Sequence, residues 1–205
     1  MPNKQPLFVT GIGTGIGKTI VSAVLTEKLK ADYWKPVQSG DLDNSDTLKV
    51  KSLVSNTKTV FHPETYRLTQ PYSPHKSAAI DGITIDAKNF ILPETNNELI
   101  IEGAGGLMVP LNDDFLMIGL IKHLNAGVIL VSQNYLGSIN HTLLSIALLK
   151  QYTIAIKGII FNGKADADSE KYILAYTGVK LLGHLPEFES INRRSITGAG
   201  AYIDL

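Results

Sequence analysis

A glycine-rich run near the start of the chain, Gly11-Ile12-Gly13-Thr14-Gly15-Ile16-Gly17-Lys18-Thr19, has the residue types and spacing to hold a nucleoside triphosphate. Successive glycines let backbone N–H groups close around anionic oxygens, while a lysine reaches the terminal phosphates and a threonine hydroxyl holds magnesium at a helix N-terminus. Gly15, Ile16, Gly17, Lys18, Thr19 and Ile20 are therefore candidate nucleotide contacts, and Thr19 a candidate metal ligand. The common Gly-x4-Gly-Lys-Thr spacing would place a glycine at position 12, where Ile12 stands, so the first glycine comes one residue early.

Other polar groups follow apolar runs. A carboxylate at the end of a buried strand is costly unless a metal or hydrogen bonds hold it. Glu102, after Leu99-Ile100-Ile101, thus reads as a second magnesium anchor or as a polar strand end. Asp46 stands open between a third metal ligand and a helix cap. Gly103-Ala104-Gly105-Gly106 permits close backbone approach to a ligand, or serves a tight turn. Lys35 lies in Trp34-Lys35-Pro36-Val37-Gln38-Ser39-Gly40 and is either a surface cation or a group that stabilises a reacting anion. His62 and His75, in a proline-rich stretch without a second histidine at metal spacing, read as surface or packing residues.

The elements that would position these groups can be read from periodicity. Leu7 to Thr10 predicts a strand before the glycine run, and Ile20, Val21, Val24, Leu25 and Leu29 recur at helical spacing from Lys18 to Lys30. A strand is predicted over Tyr33 to Val37, and a helix over Asn44 to Val54 capped by Asn44 or Ser45. Residues 56–80, with Pro63, Pro71 and Pro74, read as an irregular crossover with one short strand. Thr84 or Asp86 can cap a helix to about Leu92, and Glu98 to Glu102 is a buried strand. The remainder alternates: helix 114–124, strand 127–132, helix 138–150, strand 156–161, helix 167–176, strand 179–184. Apolar strands alternating with helices imply an α/β fold, a parallel sheet covered on both faces, with ligands at the carboxyl ends of the strands.

A chain of 205 residues fits one domain with a substantial core. Its 19 basic and 19 acidic residues cancel, and no basic run offers a footprint for nucleic acid or an anionic membrane, so small molecules are the expected partners. The absence of cysteine excludes disulfides, thiolate metal sites and a cysteine nucleophile; without a secretory signal the expected compartment is the cytoplasm.

Six blocks in order resemble the dethiobiotin synthetase family, a P-loop group of ATP-dependent ring-closing enzymes of biotin biosynthesis. They are the glycine loop ending in Gly17-Lys18-Thr19, Lys35-Pro36-Val37 with Ser39-Gly40, Asn44-Ser45-Asp46, Ser73-Pro74-His75, Glu102-Gly103-Ala104-Gly105-Gly106, and Leu136-Gly137-Ser138-Ile139-Asn140-His141. The resemblance implies that 7,8-diaminononanoate takes up CO2 as a carbamate, that ATP phosphorylates the carbamate, and that the second amine closes the ring. It further implies that Lys18 binds the β- and γ-phosphates and that Thr19, Asp46 and Glu102 hold Mg2+. Lys35 and Thr14 would hold the carbamate and Ser39 the diamine side. Gly103, Ala104 and Gly105 would border the nucleotide, with Asn162, Gly163 and Pro186 at the adenine.

The family is dimeric, so Leu136, Gly137 and Asn140 would form an interface segment reaching substrate, where the helix starting at Ser138 could accept a carboxylate. Tyr172 is either a hydroxyl donated across that dimer or an amphipathic surface residue. Two places depart from the family pattern: Gly13 stands where an acidic residue is frequent, and the segment after Pro186 matches loosely. Lys35→Ala is expected to lower turnover far more than it alters folding.

Two other readings compete. Partitioning or metallocentre-assembly ATPases of the same class carry an extra lysine early in the loop, where this chain has Gly13. A nucleotide-binding module without catalysis would leave the Lys35 and Ser39 block without a purpose.

Overall fold

The structure, a computed structural model, describes residues 5–205. Its elements run β1 (Leu7–Gly11), α1 (Lys18–Leu29), β2 (Asp32–Trp34), β3 (Val37–Ser39), α2 (Asp46–Leu53), β4 (Phe61–His62), β5 (Tyr66–Leu68) and α3 (Pro74–Ile80). They continue β6 (Leu99–Gly106), α4 (Met117–His123), β7 (Gly127–Ser132), α5 (Ser138–Gln151), β8 (Ile156–Asn162), α6 (Ala167–Thr177), β9 (Leu181–Leu185) and α7 (Arg193–Ala199).

Seven strands form one sheet in the order β4-β2-β6-β1-β7-β8-β9, with every neighbouring pair parallel. A parallel sheet must bury both faces, and alternate side chains of each strand serve opposite cores. On β1, Leu7 and Val9 pack with Val21, Val24 and Leu25 of α1, whereas Phe8 joins Ile118 and Ile121 of α4 and Ile146 and Leu149 of α5. The expected α/β architecture is therefore the observed one.

Local departures have identifiable causes. The strand expected over Tyr33 to Val37 is interrupted at Lys35-Pro36: β2 belongs to the main sheet, while β3 pairs with β5 in a separate two-stranded sheet. Proline has no N–H for a ladder, and here the Pro36 carbonyl accepts from Tyr66 N at 3.0 Å. The helix expected up to Leu92 is only a 3-10 turn, Ala87–Asn89, capped by Asp86. It stops because Phe90 turns inward against the Tyr66 ring, centroids 5.3 Å apart.

The crossover 56–80 holds β4, β5 and α3, the last opened by Pro74 in a helix-starting position, where a missing N–H costs nothing. The helix expected from 114 starts at Met117, since Pro110 and Leu116 first form an antiparallel bridge. Beyond the last expected strand lies α7, closed at its start by a reciprocal Asn192–Ser195 cap.

Candidate active site

Residues 12–17 join β1 to α1, and Gly17 immediately precedes the helix with φ 90°. A side chain at Gly17 would be strained by that φ and would overlap the Asn162 amide. Asn162, at the end of β8, donates its Nδ2 to the Ile16 carbonyl at 3.0 Å and so braces the loop from the neighbouring strands. Lys18 is buried and donates its Nζ to the Gly13 carbonyl at 2.8 Å. Burial lowers its pKa to about 8, a shift that the nearby Glu102 charge opposes.

The register of β2 on β6 pairs Tyr33 with Ile100 and Trp34 with Ile101, which carries Lys35 to the level of Glu102. Lys35 Nζ lies 2.8 Å from Asp46 Oδ2 and 3.2 Å from Glu102 Oε1, with Thr19 Oγ1 donating to the same Glu102 oxygen at 2.9 Å. Burial disfavours the Lys35 ammonium, but the Glu102 and Asp46 carboxylates outweigh it and hold its pKa above the usual lysine value. Burial likewise works against the Asp46 carboxylate, and Lys35 overcomes this and keeps its pKa below the usual range. Lys35 is thus a buried ion-pair partner and not a surface cation.

Asp46 is also not the cap of α2, because the Ser45 side chain accepts from Leu48 N and leaves the Asp46 carboxylate free to face Lys35. Two residues that sequence reasoning passed over complete the cluster. Gln38 accepts from Asp46 N at 3.2 Å and donates to the Gly40 carbonyl at 2.9 Å, tying the Ser39-Gly40 turn to α2. Tyr33, fully buried, donates its hydroxyl to Glu102 Oε2 at 2.9 Å. Burial and then the Glu102 and Asp46 charges push its pKa far up, so it remains a neutral donor. Gln38 had a visible signal as a polar residue within the Lys35 block; Tyr33 had none, being one of two adjacent aromatics in a short buried strand.

These groups open on a cavity of about 990 Å³ that brings together Thr14, Gly15, Gly17, Lys18, Thr19, Ile20, Lys35, Ser39, Asp46, Glu102, Gly103, Ala104 and Gly105. The Ser39 hydroxyl is shielded and takes no hydrogen-bond partner among the described residues. Ile16 is different: its side chain is buried, and its carbonyl is what Asn162 meets. Asn162, Gly163 and Pro186 do not line this cavity but gather beside the loop, where Gly163 N donates to the Leu185 carbonyl at 2.8 Å.

Leu136, Gly137, Asn140 and Tyr172 share a second cavity of about 1020 Å³ between the β7–α5 turn and α6. The first N–H of α5, on Ser138, is already donated to the Tyr135 carbonyl at 2.9 Å. His62 contacts buried Asp32 at 3.3 Å and His75 is exposed, matching their expected packing and surface roles.

Residues 5–195 match the family described as an AAA domain. Among solved structures, a ParA family ATPase from Chlorobium tepidum TLS aligns with 98% of this chain and 100% of its own, with TM-score 0.59 and 13% identity. The septum site-determining protein MinD complexed with Mg-ADP, from Pyrococcus horikoshii OT3, aligns with 95% of this chain and 86% of its own at TM-score 0.61 and 16% identity. Those likenesses establish the P-loop NTPase fold alone.

Sequence relatives carry more. The ATP-dependent dethiobiotin synthetase BioD of Christiangramia forsetii is 54% identical over 88% of this chain and 86% of its own. That of Cytophaga hutchinsonii is 49% identical over 93% of this chain and 92% of its own, and that of Rhodopseudomonas palustris 43% over 96% and 92%. Identity at that level over most of each chain means that the chain belongs to the ATP-dependent dethiobiotin synthetase family.

Proposed function

We propose that this protein closes the ureido ring of dethiobiotin, converting 7,8-diaminononanoate, CO2 and ATP into dethiobiotin, ADP and phosphate, as one cytoplasmic synthetase domain. The observation that carries the reading is a buried lysine, Lys35, set between two carboxylates at the mouth of a triphosphate loop. One amine of the diamine bonds to CO2 and loses a proton, giving a carbamate. A carbamate oxygen bonds to the γ-phosphorus as the bond to ADP breaks. The second amine then bonds to the carbamoyl carbon, phosphate leaves, and that amine gives up its proton.

None of these bonds requires a covalent protein intermediate; the demand is for alignment and for charge compensation. Lys18 would exchange the Gly13 carbonyl for the β- and γ-phosphates, an exchange eased by burial, which makes an unpaired ammonium costly there. Lys35 and Thr14 would hold the carbamate, and the partnerless Ser39 hydroxyl would contact the diamine side. Asn162 would offer its Oδ1 to the adenine edge while Nδ2 keeps its bond to Ile16.

A hydroxyl and two carboxylates form an all-oxygen donor set suited to magnesium. Thr19, Asp46 and Glu102 would hold the ion, whose chemistry there is to shield the phosphate charge. We further propose a homodimer in which Leu136, Gly137, Asn140 and Tyr172 serve the partner's substrate. Leu136 is fully exposed and these residues lie in a cavity other than that of Lys35, which supports a site completed by a second copy.

Phosphate release from MgATP with bicarbonate, with and without the diamine, tests the activity. Diamine-dependent release matched by dethiobiotin mass is expected; diamine-independent hydrolysis, or none, would overturn the reading. Sedimentation at assay concentration tests the dimer, which a fully active monomer would refute.

A further inference from the structure

We infer that Tyr33 is a positioning residue for Glu102, holding one carboxylate oxygen so that only the other is presented to Thr19, Lys35 and the bound nucleotide complex. The inference rests on the reading of Thr19 and Glu102 as the magnesium–nucleotide site. Its geometry does not depend on that reading. Tyr33 and Ile100 are paired across β2 and β6, and side chains two residues apart on a strand share a face. Tyr33, Lys35 and Glu102 therefore project to one side of the sheet from adjoining strands.

The two carboxylate oxygens have different partners. Oε2 accepts from the Tyr33 hydroxyl at 2.9 Å, deep in the core, while Oε1 takes Thr19 Oγ1 at 2.9 Å and Lys35 Nζ at 3.2 Å at the cavity wall. A glutamate has broad freedom about its last torsion. Without the phenol, Glu102 could rotate or offer both oxygens at once, and the donor set would lose its fixed count. The Tyr33 ring packs beside Phe61 of β4, with centroids 6.0 Å apart and planes at 50°. Removing a group that orients a metal-binding carboxylate typically costs about 10–100-fold in metal affinity or activity.

The test replaces Tyr33 with Phe, which keeps the ring against Phe61 and removes only the hydroxyl. Mn2+ binding in the presence of ADP, followed by electron paramagnetic resonance, supplies a readout independent of turnover. In Tyr33→Phe the Mn2+ affinity is expected to fall about 10-fold, with kcat falling alongside it and KM for the diamine unchanged. Phe61→Leu serves as a control that loosens the same packing while leaving the hydroxyl, and it should lose thermal stability without losing Mn2+ affinity.

Unchanged Mn2+ affinity in Tyr33→Phe, or an equal loss in both variants, would overturn the inference and leave Tyr33 a packing residue. Absence of Mn2+–ADP binding in the unaltered protein would instead refute the reading of the site itself.

Discussion

Replacing Lys35 by Met removes an ammonium while keeping most of the side-chain volume, and the structure predicts a loss of stability as well as of turnover. Lys35 is 4% exposed, Glu102 1% and Asp46 24%, so two carboxylates would be left with their shared countercharge gone. Breaking a buried pair by deleting one partner costs about 3–5 kcal/mol, and the partial exposure of Asp46 places this case near about 3 kcal/mol. In a chain of this size each kcal/mol moves Tm by roughly 2–4 °C, giving a fall of roughly 6–12 °C in the nucleotide-free protein.

The pH window follows from the signs. The raised Lys35 pKa contributes stability fully below the ordinary value of 10.5 and loses it as pH rises through the folded value. The lowered Asp46 pKa contributes above the ordinary 3.8 and is lost as pH falls through its folded value. The Tm gap between the unaltered protein and Lys35→Met should therefore be flat from about pH 5 to about pH 7, above which Lys18, whose pKa of about 8 is lowered in part by the Lys35 charge, titrates as well.

Adding Glu102→Gln to Lys35→Met removes the stranded charge, so the double variant should regain about 2 kcal/mol relative to additive losses. Calorimetric melts of the four proteins at pH 7 supply the cycle. A Lys35→Met Tm within about 2 °C of the parent, or strict additivity, would refute the argument that this lysine is the counterion of a buried pair.

Four further outcomes are expected. Gly17→Ala, which must adopt φ 90° and displace Asn162, should lose about 1–2 kcal/mol and bind ATP analogues more weakly by calorimetry. Gly13→Ala, with nothing within 4 Å of the added methyl, should match the parent in melting. Lys18, with a pKa of about 8, should take up a proton when phosphates restore it toward 10.5, so ATP affinity should fall above about pH 8. Titrations at about pH 9 in buffers of different ionisation enthalpy read that uptake, and equal heats would count against it. Asp32→Ala strands the Val60 N–H and the Thr95 and Asn97 donors at the opposite end of β2 from the site. Chemical denaturation should show a loss of about 3 kcal/mol with ADP affinity unchanged.

What the sequence made legible divides along physical lines. In a parallel sheet the carboxyl ends of the strands align, so a polar residue placed after an apolar run must arrive at one edge. That rule sufficed to bring the loop after β1, Lys35 and Glu102 to a common cavity, and a cap at Asn44 or Ser45 was visible because capping is a local interaction, with Ser45 the residue that makes it. It could not supply lateral pairing. Tyr33 reaches Glu102 across 69 residues of chain solely through the register of β2 on β6, and nothing in a three-residue Asp-Tyr-Trp strand distinguishes a hydroxyl that packs from one that orients a carboxylate. The Lys35–Asp46 contact similarly depends on where α2 settles against α1, helped by Gln38 holding the Asp46 N–H.

The elements misread are those decided by one or two residues. Pro74 opens α3 although a proline in a loop-like stretch reads as a stop, a single inward turn of Phe90 ends what periodicity would extend to Leu92, and α7 buries only Ile196 and Ala199. Periodic burial identifies an element when many residues vote for it; a seven-residue helix with two buried positions is specified by its cap and its neighbours. The same distinction explains why the phosphate loop was plain and its supports were hidden. The phosphate loop is one run of consecutive residues, whereas the groups that support it come from separate elements and need only be near in space.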